Sequence, residues 1–313
     1  MKNKNIVFLG TPEFAACVLE GLLKENYNII AVVTQPDKPV GRKKVLTPTP
    51  VKVVAQNYNI PVYQPISLRK DYEFLKEMDI DMLITTAYGQ ILPPEVLQMS
   101  KINNINVHAS LLPKHRGGAP IHRSIINGDK VTGVTIMEMV DKMDAGKMYA
   151  KQEYVIDDEI NTTQLFDKLQ YVGRDLLLKV LPDLLENKIE GEEQNEDEVT
   201  FSWNIKREEE KIDFSKTCLE VHNLIRGLAE VPGAYCYFKN QAFKIYKAKV
   251  YSIVDDEKEV GTLRIENKNS LIVKCKDGYV ELLEIKLEGK QRMDVKSFLN
   301  GCNKDDLIKE KLS

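Results

Sequence analysis

The chain has 313 residues, 43% hydrophobic and 29% charged, with a formal net charge of −3, the make-up of a globular protein long enough for two domains. So small an imbalance excludes nucleic-acid binding by bulk charge and leaves that role to a local basic surface. The five cysteines (Cys17, Cys218, Cys236, Cys275, Cys302) are scattered and without CxxC spacing, which argues against a disulfide framework or zinc cluster and for a reducing compartment.

The start, MKNKNIVFLG, carries an apolar run of only four residues before a Gly-Thr-Pro turn, unlike a signal peptide. No apolar run approaches the roughly 18 residues of a membrane span, so a cytoplasmic protein is expected, neither secreted nor membrane-spanning. Strands are predicted at 6–9, 29–34, 81–86, 105–108 and 133–139, alternating with helical patterns as in a parallel α/β sheet. Between the first two, Thr11 suits a helix cap, Pro12 the first helical position, and Phe14, Val18 and Leu22 one apolar stripe. A second helix is predicted from Thr162 or Thr163 to about residue 186, with Leu165, Leu169, Val172, Leu176, Val180 and Leu184 on one face. Residues 186–200, ENKIEGEEQNEDEVT, read as a solvated linker. A helix at 217–229 follows, then short apolar runs at 234–238, 242–251, 261–265, 271–275 and 279–287, the spacing of a small antiparallel barrel of about five strands. The predicted domains are therefore 1–188, of α/β type, and 206–313, of β type, joined by a linker at 189–205. The second carries 21 Lys plus Arg against 19 Asp plus Glu, which suits either an ordinary solvated surface or a nucleic-acid-binding module.

Ligands of open parallel sheets bind beyond the carboxyl ends of the strands. The stretch INVH puts Asn106 and His108, two residues apart, on one face of such an end. Gln35 onward, Ala87-Tyr88-Gly89 and the loop VDKMDAGKM after 133–139 gather at the same edge if the strands are parallel. That loop holds Asp144, by itself a turn residue beside Gly; His108 by itself reads equally well as a hydrogen-bonded strand-end histidine. Together the amide, imidazole and carboxylate form a set with no protein nucleophile, since Ser110 lies outside any GxSxG pattern. A carboxylate beside a histidine favours the imidazolium and orients it, and an amide donates to an oxyanion. The trio suits acyl transfer between two bound substrates.

No metal is expected: His108, His115 and His122 are evenly spaced but fall on a strand, a loop and a helix without Cys or acidic partners. His115 and Arg116 are expected to line the loop or face water. GTPEF lacks the second and third glycines of GxGxxG, which disfavours a nicotinamide cofactor. Residues 35–50, QPDKPVGRKKVLTPTP, carry Lys38, Arg42, Lys43 and Lys44 at the presumed active edge, with four prolines limiting regular structure. Such a basic loop suits phosphate contact, or is simply solvated.

INVHASLLPKHRGGAPIHRSIINGD, followed by TGVTIMEMVDKMDAG, resembles the formyltransferase domain of enzymes that use 10-formyltetrahydrofolate. VFLGTPEFA, TQPDKPVGRKKVLTPTPVK and AYGQILP are similar to the methionyl-tRNA formyltransferase family, and the likeness runs over essentially the whole chain. The resemblance implies a Rossmann-like, mostly parallel sheet joined to a C-terminal antiparallel β-barrel of oligonucleotide-binding-fold type. It implies formyl transfer from 10-formyltetrahydrofolate to methionyl initiator tRNA, by a monomer with no metal and no membrane partner. The family's catalytic Asn, His and Asp fall on Asn106, His108 and Asp144, and its folate-binding turn on Ser110, Leu111, Leu112 and Pro113. Its tRNA-binding loop falls on 35–50, with contacts at Arg42, Lys43 and Lys44. Two departures stand out: Ala109 where many relatives have Gly, and AEVPGAY at 229–235 where the family often shows Asn-Pro-Trp-Pro-Gly. The alternatives are a formyltransferase acting on an amino-sugar nucleotide, glycinamide ribonucleotide or another small amine, and a non-catalytic nucleic-acid-binding protein on the same scaffold.

Overall fold

In a computed structural model of the protein, residues 2–41, 43–102, 104–253 and 256–313 are described. The chain divides into two compact units, Met1–Pro120 with Val131–Val155 and Phe166–Trp203, and Ile121–Lys130 with Ile156–Leu165 and Asn204–Ser313.

In chain order the elements are β1 (Ile6–Gly10), α1 (Glu13–Lys24), β2 (Ile29–Val33), β3 (Lys38–Val40), β4 (Val45–Thr47), α2 (Pro50–Asn57), β5 (Val62–Tyr63), α3 (Glu73–Lys76) and β6 (Met82–Thr86). There follow α4 (Pro94–Leu97), β7 (Ile105–His108), α5 (Pro120–Ile126), β8 (Val131–Glu138), β9 (Met148–Val155) and α6 (Thr162–Leu185). Apart from the ribbon β3–β4, the strands of the first unit form one sheet in the order β5-β2-β1-β6-β7-β8-β9. The first five positions are parallel, and β1 and β6 are buried along their whole length, which is why they read as unbroken apolar runs. Helix α1 covers the sheet with Phe14, Ala15, Val18, Leu19 and Leu22. Its start differs from the expected cap: Pro12 occupies the N-cap position without a side-chain bond, and the Thr11 hydroxyl donates instead to Tyr88 O at 2.9 Å.

The sheet changes direction at β8. Strand β8 runs antiparallel to β7, pairing Ile105 with Glu138 and His108 with Thr135, and β9 returns antiparallel along β8. The loop after β8 therefore starts from the amino-terminal level of β7, not from the carboxyl edge that a wholly parallel sheet would give it.

The second unit adds α7 (Cys218–Gly227), β10 (Ala234–Phe238), β11 (Gln241–Ser252), β12 (Leu263–Glu266), β13 (Ser270–Cys275), β14 (Gly278–Leu287), β15 (Met293–Asp294), α8 (Val295–Asn300) and α9 (Lys304–Leu307). Its antiparallel sheet runs β10-β11-β14-β13-β12, with β15 beside β14. The end of the chain links the two outer strands: Leu312 N donates to Gly261 O at 3.0 Å, and Ser313 and Tyr237 exchange two backbone bonds at 2.7 and 3.1 Å. Val221, Ile225 and Leu228 share one core with Ile245, Val273, Val280, Leu282 and Ile285. Thr217 and Glu220 form a capping box at the start of α7.

Gly133 of β8 marks where β9 and the turn after β7 crowd the strand, since a Cβ there would stand 2.1 Å from Gln152 O and 2.6 Å from Leu111 Cδ2. Gly133→Ala is expected to cost about 1–3 kcal/mol through overpacking, read as a lower midpoint in urea denaturation with an unchanged slope.

Candidate active site

Three loops meet at the carboxyl edge of the parallel strands. The Tyr88 carbonyl, just beyond β6, accepts from Thr11 Oγ1 at 2.9 Å and from Gln35 Nε2 at 3.2 Å, tying the segments after β1 and β2 to it. The Tyr88 ring lies inside the apolar cluster of Leu68, Leu75, Leu83, Leu92 and Val96. Burial pushes its hydroxyl up to about 12, so the phenol stays protonated and takes no part in proton transfer near neutrality.

Asn106 and His108 stand together at the end of β7, as their spacing predicts. Asn106 Oδ1 accepts from the buried Thr85 hydroxyl at 3.0 Å. His108 is buried, with 6% of its surface exposed. Its Nε2–H donates to His115 O at 3.0 Å, which fixes the tautomer of the neutral ring. Asp144 Oδ1 lies 3.7 Å from His108 Nδ1, too far for a hydrogen bond.

Asp144 reaches His108 because the loop between β8 and β9 folds back. Asp144 itself takes a left-handed backbone, φ 50°, a conformation that Asp tolerates better than most side chains. Its Oδ2 accepts from Gly117 N at 2.8 Å, and its carbonyl accepts from Gln194 Nε2 at 2.8 Å. Sequence reasoning missed two residues here. Arg116, expected to line a loop or face water, is completely buried, and its Nε and one terminal nitrogen donate to Gln194 Oε1 at 3.0 and 2.9 Å. Gln194 sits in the stretch read as a solvated linker, yet that stretch runs against this unit: Met148 and Glu192 exchange two backbone bonds, and Gln194 and Ser202 are buried. A run of Glu, Asp and Asn carries no signal that one amide inside it turns inward.

The turn 110–113 is braced from β8. The Thr135 hydroxyl donates to Ser110 O at 2.7 Å and accepts from Leu112 N at 3.1 Å. Ser110 is fully buried and donates to Lys114 O at 2.8 Å. Leu112 packs on Met137 and Met148, and Pro113 is buried. Leu111 is partly exposed, so it alone of the four offers side-chain surface. A rigid turn with one apolar side chain outward fits a flat aromatic ring laid against it. Ala109 is not among the positive-φ residues, so its methyl costs nothing in the backbone.

The basic segment forms the ribbon β3–β4, pairing Lys38 with Thr47 and Val40 with Val45, despite its prolines. Lys43 and Lys44 are exposed at its tip; Arg42 lies outside the described residues. The base of the ribbon is held by Asp37, which accepts from Lys52 Nζ and Gln64 Nε2, both at 2.6 Å. The Lys52 ammonium, and after it the Gln64 amide, holds the Asp37 carboxyl below the usual carboxylate range.

Residues 4–181 match the family model described as formyl transferase, and residues 204–303 the one described as formyl transferase, C-terminal domain. The methionyl-tRNA formyltransferase of Lactobacillus johnsonii is 48% identical over 314 residues, 98% of either chain. The chain belongs to the methionyl-tRNA formyltransferase family. The protein of that name from Lactococcus lactis subsp. cremoris strain SK11 is 46% identical over 322 residues, 100% of this chain and 99% of the relative. Two solved N-formyltransferases share the fold at low identity. WlaRD, solved with dTDP and 5-N-formyl-THF, has a TM-score of 0.66 at 20% identity over 92% of this chain and 99% of its own. The Helicobacter canadensis enzyme, solved with folinic acid and dTDP-3-aminofucose, has a TM-score of 0.67 at 21% identity over 89% and 98%.

Thr135→Val keeps the shape of the side chain that braces the turn but strips its hydroxyl, leaving the buried Leu112 amide unpaired. The variant is expected to lose about 1–3 kcal/mol of stability, measured by urea denaturation.

Proposed function

We propose that this methionyl-tRNA formyltransferase family member transfers the formyl group of 10-formyltetrahydrofolate to the α-amine of methionyl initiator tRNA. The observation that carries the reading is the meeting of Asn106, His108 and Asp144 without a protein nucleophile, in a chain so similar to methionyl-tRNA formyltransferases along its whole length. The donor supplies an activated formyl carbon held on nitrogen. Leu111 and the braced backbone of 110–113 hold its ring system beside β7. The Asn106 Nδ2 donor and a proton on His108 Nδ1 serve the negative charge that develops on the formyl oxygen as the amine adds. Asp144 favours the charged imidazole and relays the proton that the amine loses toward the departing nitrogen N10. Proton balance closes within the site: the amine gives up one proton and N10 receives one.

The exposed Lys43 and Lys44, with Arg42, contact phosphates near the acceptor end of the tRNA, and the antiparallel domain supplies further tRNA-binding surface. A monomeric, cytoplasmic enzyme goes with this reading. No helix among the described residues is long and apolar enough to cross a membrane.

The direct test is formyl transfer to aminoacylated initiator tRNA, set against an amino-sugar nucleotide and glycinamide ribonucleotide as acceptors; a preference for either small amine overturns the reading. Asp144→Asn preserves size and left-handed tolerance and is expected to fold normally while losing about 10²–10⁴ in transfer rate; a near-normal rate removes Asp144 from the mechanism. Lys43→Ala with Lys44→Ala is expected to weaken tRNA binding and to flatten its log–log salt dependence by about 0.9 for each phosphate left without its lysine. An unchanged slope, measured by filter binding across a salt series, removes the ribbon from the tRNA interface.

A further inference from the structure

Gln194 uses its whole hydrogen-bonding capacity inside the first unit. Its Oε1 accepts from Arg116 Nε at 3.0 Å and from an Arg116 terminal nitrogen at 2.9 Å. Its Nε2 donates to Asp144 O and to Gly146 O, both at 2.8 Å. Two acceptor bonds and two donor bonds exhaust a carboxamide, so the group is locked in one orientation. With 8% of its surface exposed, Gln194 makes these bonds away from competing water, where each constrains geometry most strongly.

The group on the far side of Gln194 is a buried cation. Arg116 is completely buried; it reaches Glu196 Oε1 at 2.8 Å, yet its other terminal nitrogen, NH1, is buried with no hydrogen-bond partner. The guanidinium is held in place by its bonds to Gln194 and Glu196. It is a good anchor. Its own backbone is fixed by Thr200 O and Ser202 N at 2.9 and 2.7 Å, and the next residue, Gly117, donates its amide to Asp144 Oδ2 at 2.8 Å. Glu196 also accepts from Lys142 Nζ at 3.0 Å, which holds the upstream half of the same loop.

We propose that Gln194 is a positioning residue for formyl transfer. Acting from the acidic segment after α6, it clamps the Asp144 loop to the Arg116 guanidinium and so sets the 3.7 Å approach of Asp144 to His108. The inference rests on the formyl-transfer reading and adds a component of the site outside the Asn106, His108 and Asp144 set. Without the amide donors, the carbonyls of Asp144 and Gly146 lose their anchor, and a displacement of about 1 Å at a reacting group costs on the order of a hundredfold in rate.

Two substitutions separate a clamp from a mere partner for the cation. Gln194→Ala removes both halves of the amide. Gln194→Glu keeps an acceptor for Arg116 but has no donor for the two carbonyls. Both are expected to lower kcat for formyl transfer to methionyl initiator tRNA about 10–100-fold, with KM for the tRNA and the folate donor within about threefold of wild type. In an Asp144→Asn background, Gln194→Ala is expected to add much less than it does alone, because both changes act on one carboxylate. Circular dichroism and thermal melting identify folded protein, and Gln194→Glu decides the matter if Gln194→Ala fails to fold. A wild-type kcat for Gln194→Glu beside a slow Gln194→Ala overturns the clamp, as does full additivity with Asp144→Asn. Wild-type kcat in both Gln194 variants, with Asp144→Asn inactive, overturns the inference while leaving the formyl-transfer reading intact. A near-normal rate for Asp144→Asn also overturns the inference, because the clamp then has no carboxylate role to serve, and it leaves formyl transfer itself standing.

Discussion

The approach of the Asp144 carboxylate to the His108 imidazole depends on a loop that the sheet by itself does not aim. Strand β8 runs against β7 and leaves the loop at the amino-terminal level of β7, so the carboxylate must be brought back to the opposite end. Three attachments do this from one side: the Gly117 amide on Oδ2, the Gln194 amide on the Asp144 and Gly146 carbonyls, and the Lys142–Glu196 pair upstream. They compensate for a backbone held in the left-handed region at Asp144, the kind of local strain that persists only where the surroundings over-determine it. The resulting separation of Asp144 Oδ1 from His108 Nδ1 is 3.7 Å, beyond hydrogen-bonding distance.

The antiparallel pairing that displaces the loop also builds the other wall of the site. Thr135 lies opposite His108 in the β7–β8 register, and its hydroxyl holds both Ser110 O and Leu112 N. Gly133, two residues earlier on the same strand, provides the room that Leu111 and β9 occupy. One strand thus fixes the turn proposed to carry the donor and, through the loop at its end, the Asp144 carboxylate proposed to serve the chemistry. Thr85 on β6 contributes from the parallel side by orienting the Asn106 amide. The proposed site residues sit on a regular strand and braced loops, an arrangement that would limit reorganisation during transfer.

Much of this was legible in the sequence, and the gaps have physical causes. Asn106 and His108 share a strand face because strand periodicity is strict, and the apolar runs locate the strands of both units. Strand direction is another matter. GVTIMEM says strand but carries no sign of its orientation, so placing Asp144 at a common parallel edge gives it the right neighbour through a wrong geometry. Arg116 and Gln194 were missed because composition predicts that an Arg beside glycines and a Gln among acidic residues face water; their burial is decided by partners far away in sequence. Thr11 looked like a helix cap by local chemistry, and tertiary context took its hydroxyl for the Tyr88 carbonyl instead. The prolines of 35–50 predicted irregular chain, whereas a ribbon of only two strands accommodates Pro39 in its ladder.

A crystal structure of the protein with a non-transferable formyl-folate analogue tests the central claim most directly, because that claim is geometric. The account predicts the folate ring system against Leu111 and the 110–113 turn, with the formyl oxygen within hydrogen-bonding distance of Asn106 Nδ2 and His108 Nδ1 and the His108–His115 bond retained. An analogue bound with its formyl group remote from Asn106 and His108, or an Asp144 loop swung away from His108 in the complex, would contradict it.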